Sequence, residues 1–351
     1  MRSETLLPIG KVDPGLRDAS LRLDLLQVPA MAREAEEIGY DGIASGETKN
    51  DPCAPLLLAA TSTERVRLTT AVLIAFPRSP TATAMIAWDL QATSKGRFVL
   101  GLGPQVKGHI ERRYGMPWAA PLPRMRDYIL AVRAVWNSWQ NRVPLDFHSE
   151  HYNLSLMVPL FDPGPIDYPD IPMQIAAVNK GMCRLAGELC QGLRPHPICT
   201  TKYISEVMLP AIREGAAKAG RDLTGFDIVP SPLIATGATR AAVEERIRDV
   251  RARVAFYAST RTYAEVFRHH GWGGLVDELH ECSVQKRWEE MPERISDEML
   301  DTIAVIGTHD EIPGKLRKRY GGVATALEWG MPIRTPGDRE TLKAAIQELH
   351  R

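Results

Sequence analysis

Short continuous apolar runs recur along this chain, each followed by a helix-length segment. The runs GIAS, VRLTTAVLI, RFVLGLG, PMQIAAV, GLRPHP, FDIVPSPLIATG and DTIAVIG read as short, largely apolar stretches rather than alternating ones. Strands covered on both faces read this way, and parallel sheets cover both faces with helices. A weaker run at residues 9–13, IGKVD, is the expected first strand and brings the β-α units to eight.

The helical segments carry their own punctuation. Residues 29–38 open on Pro29, place Val28, Ala32, Ala35 and Ile38 on one face, and stop at Gly39, where a left-handed residue is expected. Residues 79–96 begin with Ser79 as a cap and Pro80 in the first turn, and end at Gly96. Residues 123–139 form an amphipathic fourth helix, 201–220 a sixth, and 308–321 an eighth. Eight such units in 351 residues point to an α/β (β/α)8 TIM barrel spanning the chain. The runner-up, an open doubly wound sheet, lacks the glycine fingerprint after its first strand. Two insertions decorate the barrel: a hairpin and Pro-rich loop at 141–170, and extra helices at 263–300 before the eighth strand.

Composition narrows function by exclusion. Lys plus Arg and Asp plus Glu each number 43, so a basic nucleic-acid footprint is absent as a global property. The five cysteines are scattered without a CxxC pair, which suits a reducing cytoplasm. No apolar run is long enough for a signal peptide or a membrane span. Histidine and cysteine spacings, including His148 with His151 and Cys183 with Cys190, do not assemble a metal site.

Barrels present chemistry at strand C-termini. The second strand ends in Gly46, Glu47 and Thr48, and the third near Thr70 and Ala71. In GLG, Gly101 and Gly103 leave room for a ring or mark a bulge. The fifth strand runs through Ala177, Val178, Asn179 and Lys180 into a helix, either a phosphate-binding turn or an ordinary connection. His196 ends the sixth strand.

The stretches AREAEEIGYDGIASGE, SKGRFVLGLG followed by ERRYG, AAVNKGMCRLAGELCQGL and VIGTHDEIPGKLRKRYGG resemble the luciferase-like monooxygenase superfamily. Within it the pattern is similar to the coenzyme F420 (deazaflavin)-dependent oxidoreductases of actinobacterial type. The resemblance runs over nearly the whole chain. It implies a deazaflavin, or alternatively FMN, at the strand C-termini of a homodimeric enzyme acting on a small organic substrate. It implies a non-prolyl cis peptide in the third strand, here at Thr70–Ala71. It places Gly46, Glu47, Thr70, Ala71, Gly101, Gly103, Gln105 and His109 around the cofactor, with Ala177, Val178, Asn179 and Lys180 at its phosphate. Glu47, Thr48 and His109 stand at candidate catalytic positions; Arg113, His196 and Tyr257 are candidates for the substrate side. Lys107 is a further candidate for lining the pocket.

The sequence departs from relatives that carry an Asp-His pair after the second strand, with the His as base. Glu47 and Thr48 stand there, and Val106 stands where another relative keeps an acidic proton donor. Threonine is no base near neutral pH, so their chemistry does not transfer. Three functions are therefore expected in order: F420-dependent hydride transfer, FMN-dependent monooxygenation, and a barrel that binds without turnover.

Overall fold

A computed structural model describes residues 1–10 and 23–351. Its strands are β1 (Arg2–Leu6), β2 (Gly42–Ser45), β3 (Arg67–Thr70), β4 (Leu73–Ile74), β5 (Phe98–Gly103), β6 (Phe147–His148), β7 (Asn153–Leu154), β8 (Met173–Ala177), β9 (Gly192–Pro195), β10 (Asp227–Ile228), β11 (Leu233–Gly237), β12 (Ala304–Thr308) and β13 (Ala326–Glu328). Parallel pairing runs β10-β9-β8-β5-β3-β2-β1-β13. The ring closes through Thr325 N–H to Ile228 O at 3.0 Å and Glu328 N–H to Pro230 O at 2.9 Å. This is the expected TIM barrel.

The helices are α1 (Val28–Ile38), α2 (Cys53–Ala60), α3 (Pro80–Thr93), α4 (Lys107–Arg112), α5 (Pro121–Asn141), α6 (Lys180–Leu189), α7 (Thr201–Tyr203), α8 (Leu209–Lys218), α9 (Arg240–Ala258), α10 (Ala264–His269), α11 (Gly273–Val284), α12 (Asp297–Ile303), α13 (Ile312–Tyr320) and α14 (Pro336–His350). A π-helical turn, Ile204–Met208, joins α7 to α8, so the expected sixth helix is one continuous rod. The local signals explain the ends. Val28, Ala32, Ala35 and Ile38 are the buried face of α1, and Gly39 follows at φ 108°. Ser79 accepts from Ala82 N–H at the start of α3.

Three elements differ from expectation. The first strand is Arg2–Leu6, not 9–13; Gly10 lies in a turn, and residues 11–13 fall outside the described residues. The run expected as strand seven splits. Asp227–Ile228 stays in the barrel, while Leu233–Gly237 leaves it to pair with Ala304–Thr308. The expected eighth strand is thus half of an accessory parallel pair, and the barrel's eighth strand is Ala326–Glu328. The last helix, α14, packs against α1, β1 and α13.

The barrel interior explains the first of these differences. Arg194, only 6% exposed, donates to Glu4, Glu328 and the side-chain carbonyl of Gln174. Below it Asp227 pairs with Arg2 and Arg67. Polar residues of RSETL are therefore buried because partners on other strands satisfy them, as buried charge requires. The insertions hold a short antiparallel hairpin, β6-β7, and the helices α10 to α12.

Candidate active site

The C-terminal mouth is built on a bulge. Thr69 pairs with Val99, and Leu73 with Leu102, so four residues of one strand span three of its neighbour. The cis peptide lies at Ala71–Val72, one residue beyond the expected Thr70–Ala71 step. Ala71 and Val72 are half-exposed between buried flanks, so the bulge faces the mouth.

The bulge accounts for the glycines. A Cβ on Gly101 would sit 1.9 Å from the Thr70 carbonyl oxygen, and one on Gly103 2.6 Å from Val72 Cγ2. Thr70 is buried; its hydroxyl accepts from Gly101 N–H and donates to Gly101 O, both at 2.8 Å. Gly46 lies against Ala71, whose oxygen would be 3.0 Å from an added Cβ. These residues shape the wall from behind.

Glu47 is fully engaged. Its side chain is 7% exposed and accepts from Ile74 N–H at 2.9 Å and from the Tyr114 hydroxyl at 2.8 Å. Arg78 pairs with it at 3.1 Å. Burial alone would lower the Arg78 pKa, but Glu47 and Asp51 outweigh it and raise the pKa. Burial and the Glu47 hydrogen bond push Tyr114 up to about 12. Thr48 is exposed, and its carbonyl accepts from Arg113 at 2.9 Å. The end of β2 thus grips both sides of the mouth, through Ile74 after the bulge and through the segment that follows β5. Arg78 and Tyr114 were not singled out by sequence reasoning, because nothing local marks a distant ion pair.

The segment after β5 turns at Gln105, which holds a left-handed φ of 58° while its side chain accepts from Val106 N–H. Helix α4 follows and carries His109 at the surface, beside Arg113. His109 and Arg113 line one cleft; His196 and Tyr257 do not belong to it. Instead His196 stacks on Tyr263 at 4.1 Å and meets Tyr257 edge-on at 4.6 Å. Burial lowers the His196 pKa to about 4. Its Nδ1 accepts from Ile198 N–H, leaving the proton on Nε2.

Ala177 ends β8, and Val178 O accepts from the Tyr203 hydroxyl at 3.2 Å. Asn179 does not cap α6 with its side chain, which reaches Thr262 O instead. The first-turn N–H groups of α6 therefore have neither an intrahelical acceptor nor a cap. They border a cavity of about 580 Å³ that Lys180, Tyr203, Glu265, Arg268 and His269 also line, with Arg268 paired to Glu265 and His269 to Glu206. Such a helix start suits a phosphate. Among the described residues no group of acidic, histidine or cysteine side chains could hold a metal, and no helix is long and apolar enough to cross a membrane.

Comparison with known proteins agrees with the fold. The family model described as luciferase-like monooxygenase matches residues 9–326. The chain is 41% identical over 334 residues to "Uncharacterized protein Rv1360" of Mycobacterium tuberculosis, covering 95% of this chain and 97% of that one. It is 31% identical to "Putative coenzyme F420-dependent oxidoreductase Rv3520c" of the same organism, covering 88% and 90%. The coenzyme F420 dependent tetrahydromethanopterin reductase of Methanopyrus kandleri shares the fold, with a TM-score of 0.75 at 18% identity over 99% of this chain and 98% of that one. This chain belongs to the luciferase-like monooxygenase family and is an enzyme.

Proposed function

We propose that the chain is a coenzyme F420-dependent oxidoreductase that moves a hydride between the deazaflavin and a small organic substrate. The observation that carries this is the presence of two surfaces at one barrel mouth. One is the bulge of Ala71 and Val72, with Gly101 and Gly103 behind it. The other is the uncapped start of α6 beside Lys180. A cofactor with a flat ring and a phosphate needs both. The relative named for F420 supports the choice of deazaflavin.

In this account Ala177, Val178, Asn179 and Lys180 hold the phosphate, and Ala71, Val72 and Gly103 back the ring. Bound F420 supplies the hydride chemistry, and the protein supplies binding and orientation. Glu47 acts through the wall, because its oxygens are already occupied by Ile74, Tyr114 and Arg78. Thr48 is no base, and His196 is neutral near pH 7 because burial lowers its pKa to about 4. We also propose a cytoplasmic homodimer. Replacing Lys180 by Glu should weaken F420 binding about tenfold while leaving the fold intact, since Lys180 is exposed. Unchanged affinity would remove α6 from the cofactor site.

The second reading is an FMN-dependent monooxygenase. The family description favours it, and the same α6 start would receive the FMN phosphate.

A further inference from the structure

A cleft of about 790 Å³ opens between α4 and the helical insertion. Its walls bring together Arg112, Arg113, Arg261, His109 and His280, and among the described residues include no carboxylate. Other guanidiniums sit against acids, as Arg78 does on Glu47 and Asp51, or are spent on backbone carbonyls, as those of Arg97 and Arg221 are. Among the described residues no carboxylate lies within ion-pair distance of Arg112 or Arg261. Glu111, the one acid on α4, turns to Lys107. The same cleft is lined by Phe256 and Trp288, whose ring centroids lie 6.2 Å apart.

Uncompensated guanidiniums in one concave surface focus positive potential there. Their planar forks match phosphate and carboxylate oxygens. The half-buried Phe256 and the exposed Trp288 beside them suit a flat apolar body. The cleft also adjoins the reaction centre. Arg113 donates to Thr48 O at 2.9 Å, and the next residue, Tyr114, donates to Glu47. His280 Nδ1–H is spent on Ser259 O at 3.0 Å, which fixes its ring and leaves Nε2 for a ligand.

We propose that this cleft selects the substrate by its anionic end. It takes an organic phosphate or carboxylate with a flat apolar body, held by Arg112, Arg113 and Arg261 against Phe256 and Trp288. This rests on the hydride-transfer reading above and names the substrate class for it. The cleft is separate from the cavity at α6, so substrate and cofactor anions are bound by different cations.

The test uses the full chain without cofactor. Phenyl phosphate and benzyl alcohol are titrated by calorimetry and by tryptophan fluorescence, at two salt concentrations. Phenyl phosphate should bind saturably, about tenfold or more tighter than benzyl alcohol, and weaken as salt rises. The double variant R112Q/R261Q alters two exposed side chains and should fold normally. It should lose phenyl phosphate affinity about tenfold and keep wild-type F420 affinity. Absence of saturable phenyl phosphate binding, or wild-type affinity in the double variant, overturns the proposal. A matched loss of F420 affinity puts the cofactor's own anionic tail in the cleft and also overturns it. A wild-type chain that binds phenyl phosphate but not F420 supports the anion cleft and sinks the F420 reading alone.

Discussion

Glu47 Oε2 accepts a hydrogen bond from Ile74 N–H at 2.9 Å, so a residue just beyond β2 fixes β4, the strand segment past the bulge that follows β3. Tyr114 and Arg78 complete the clamp. Removing its charge leaves Arg78, 27% exposed, with Asp51 as its remaining acidic partner. Glu47→Gln should therefore cost about 1–2 kcal/mol in urea unfolding. Tyr114→Phe, which loses one hydrogen bond, should cost about 1 kcal/mol. Equal stability of Glu47→Gln and the parent would remove the clamp from the account.

The two glycines of β5 should respond differently. Alanine at Gly101 meets a backbone oxygen at 1.9 Å, which cannot move without breaking the ladder. Gly101→Ala should lose about 3 kcal/mol or more. Alanine at Gly103 meets the Val72 side chain at 2.6 Å. Val72→Ala should therefore restore much of the melting temperature lost in Gly103→Ala, and none of that lost in Gly101→Ala. Equal rescue of both, or of neither, would show that the bulge is packed otherwise.

His196 sets an acid limit on the fold. Its pKa falls from 6.5 to about 4 through burial. The unfolded chain therefore takes up this proton first, and stability drops as pH falls from about 6.5 towards 4. The loss contributed by this residue is on the order of 3 kcal/mol. His196→Phe keeps a ring against Tyr263 and removes the proton site, so it should lose less stability between pH 7 and pH 4.5 than the parent. Parallel pH curves for the two proteins would contradict this.

The barrel was legible because its central strands, such as FVLGLG with all six residues buried, carry no competing signal. Gly39 and Ser79 marked helix ends for reasons of backbone geometry that act locally. Long-range pairing decides the remaining strands, and it leaves no local mark. RSETL is a strand because Arg194 and Asp227 neutralise Glu4 and Arg2, which lie nearly two hundred residues or more away in sequence. ALE is only three residues long, and the more apolar AVIGT outweighed it. At the site, the positions of Gly101 and Gly103 were marked by type, but what occupies their space follows from strand register. The cis peptide lies one residue beyond the step the resemblance implied. Glu47 stood out as a strand-end acid; its partners Arg78 and Tyr114 come together only in the folded mouth.

The central claim is that this mouth binds a deazaflavin. Parallel absorbance titrations of the purified chain with oxidised F420 and with FMN test it most directly. F420 should bind with one site per chain and markedly tighter than FMN. Stoichiometric binding of FMN without binding of F420 would contradict the claim.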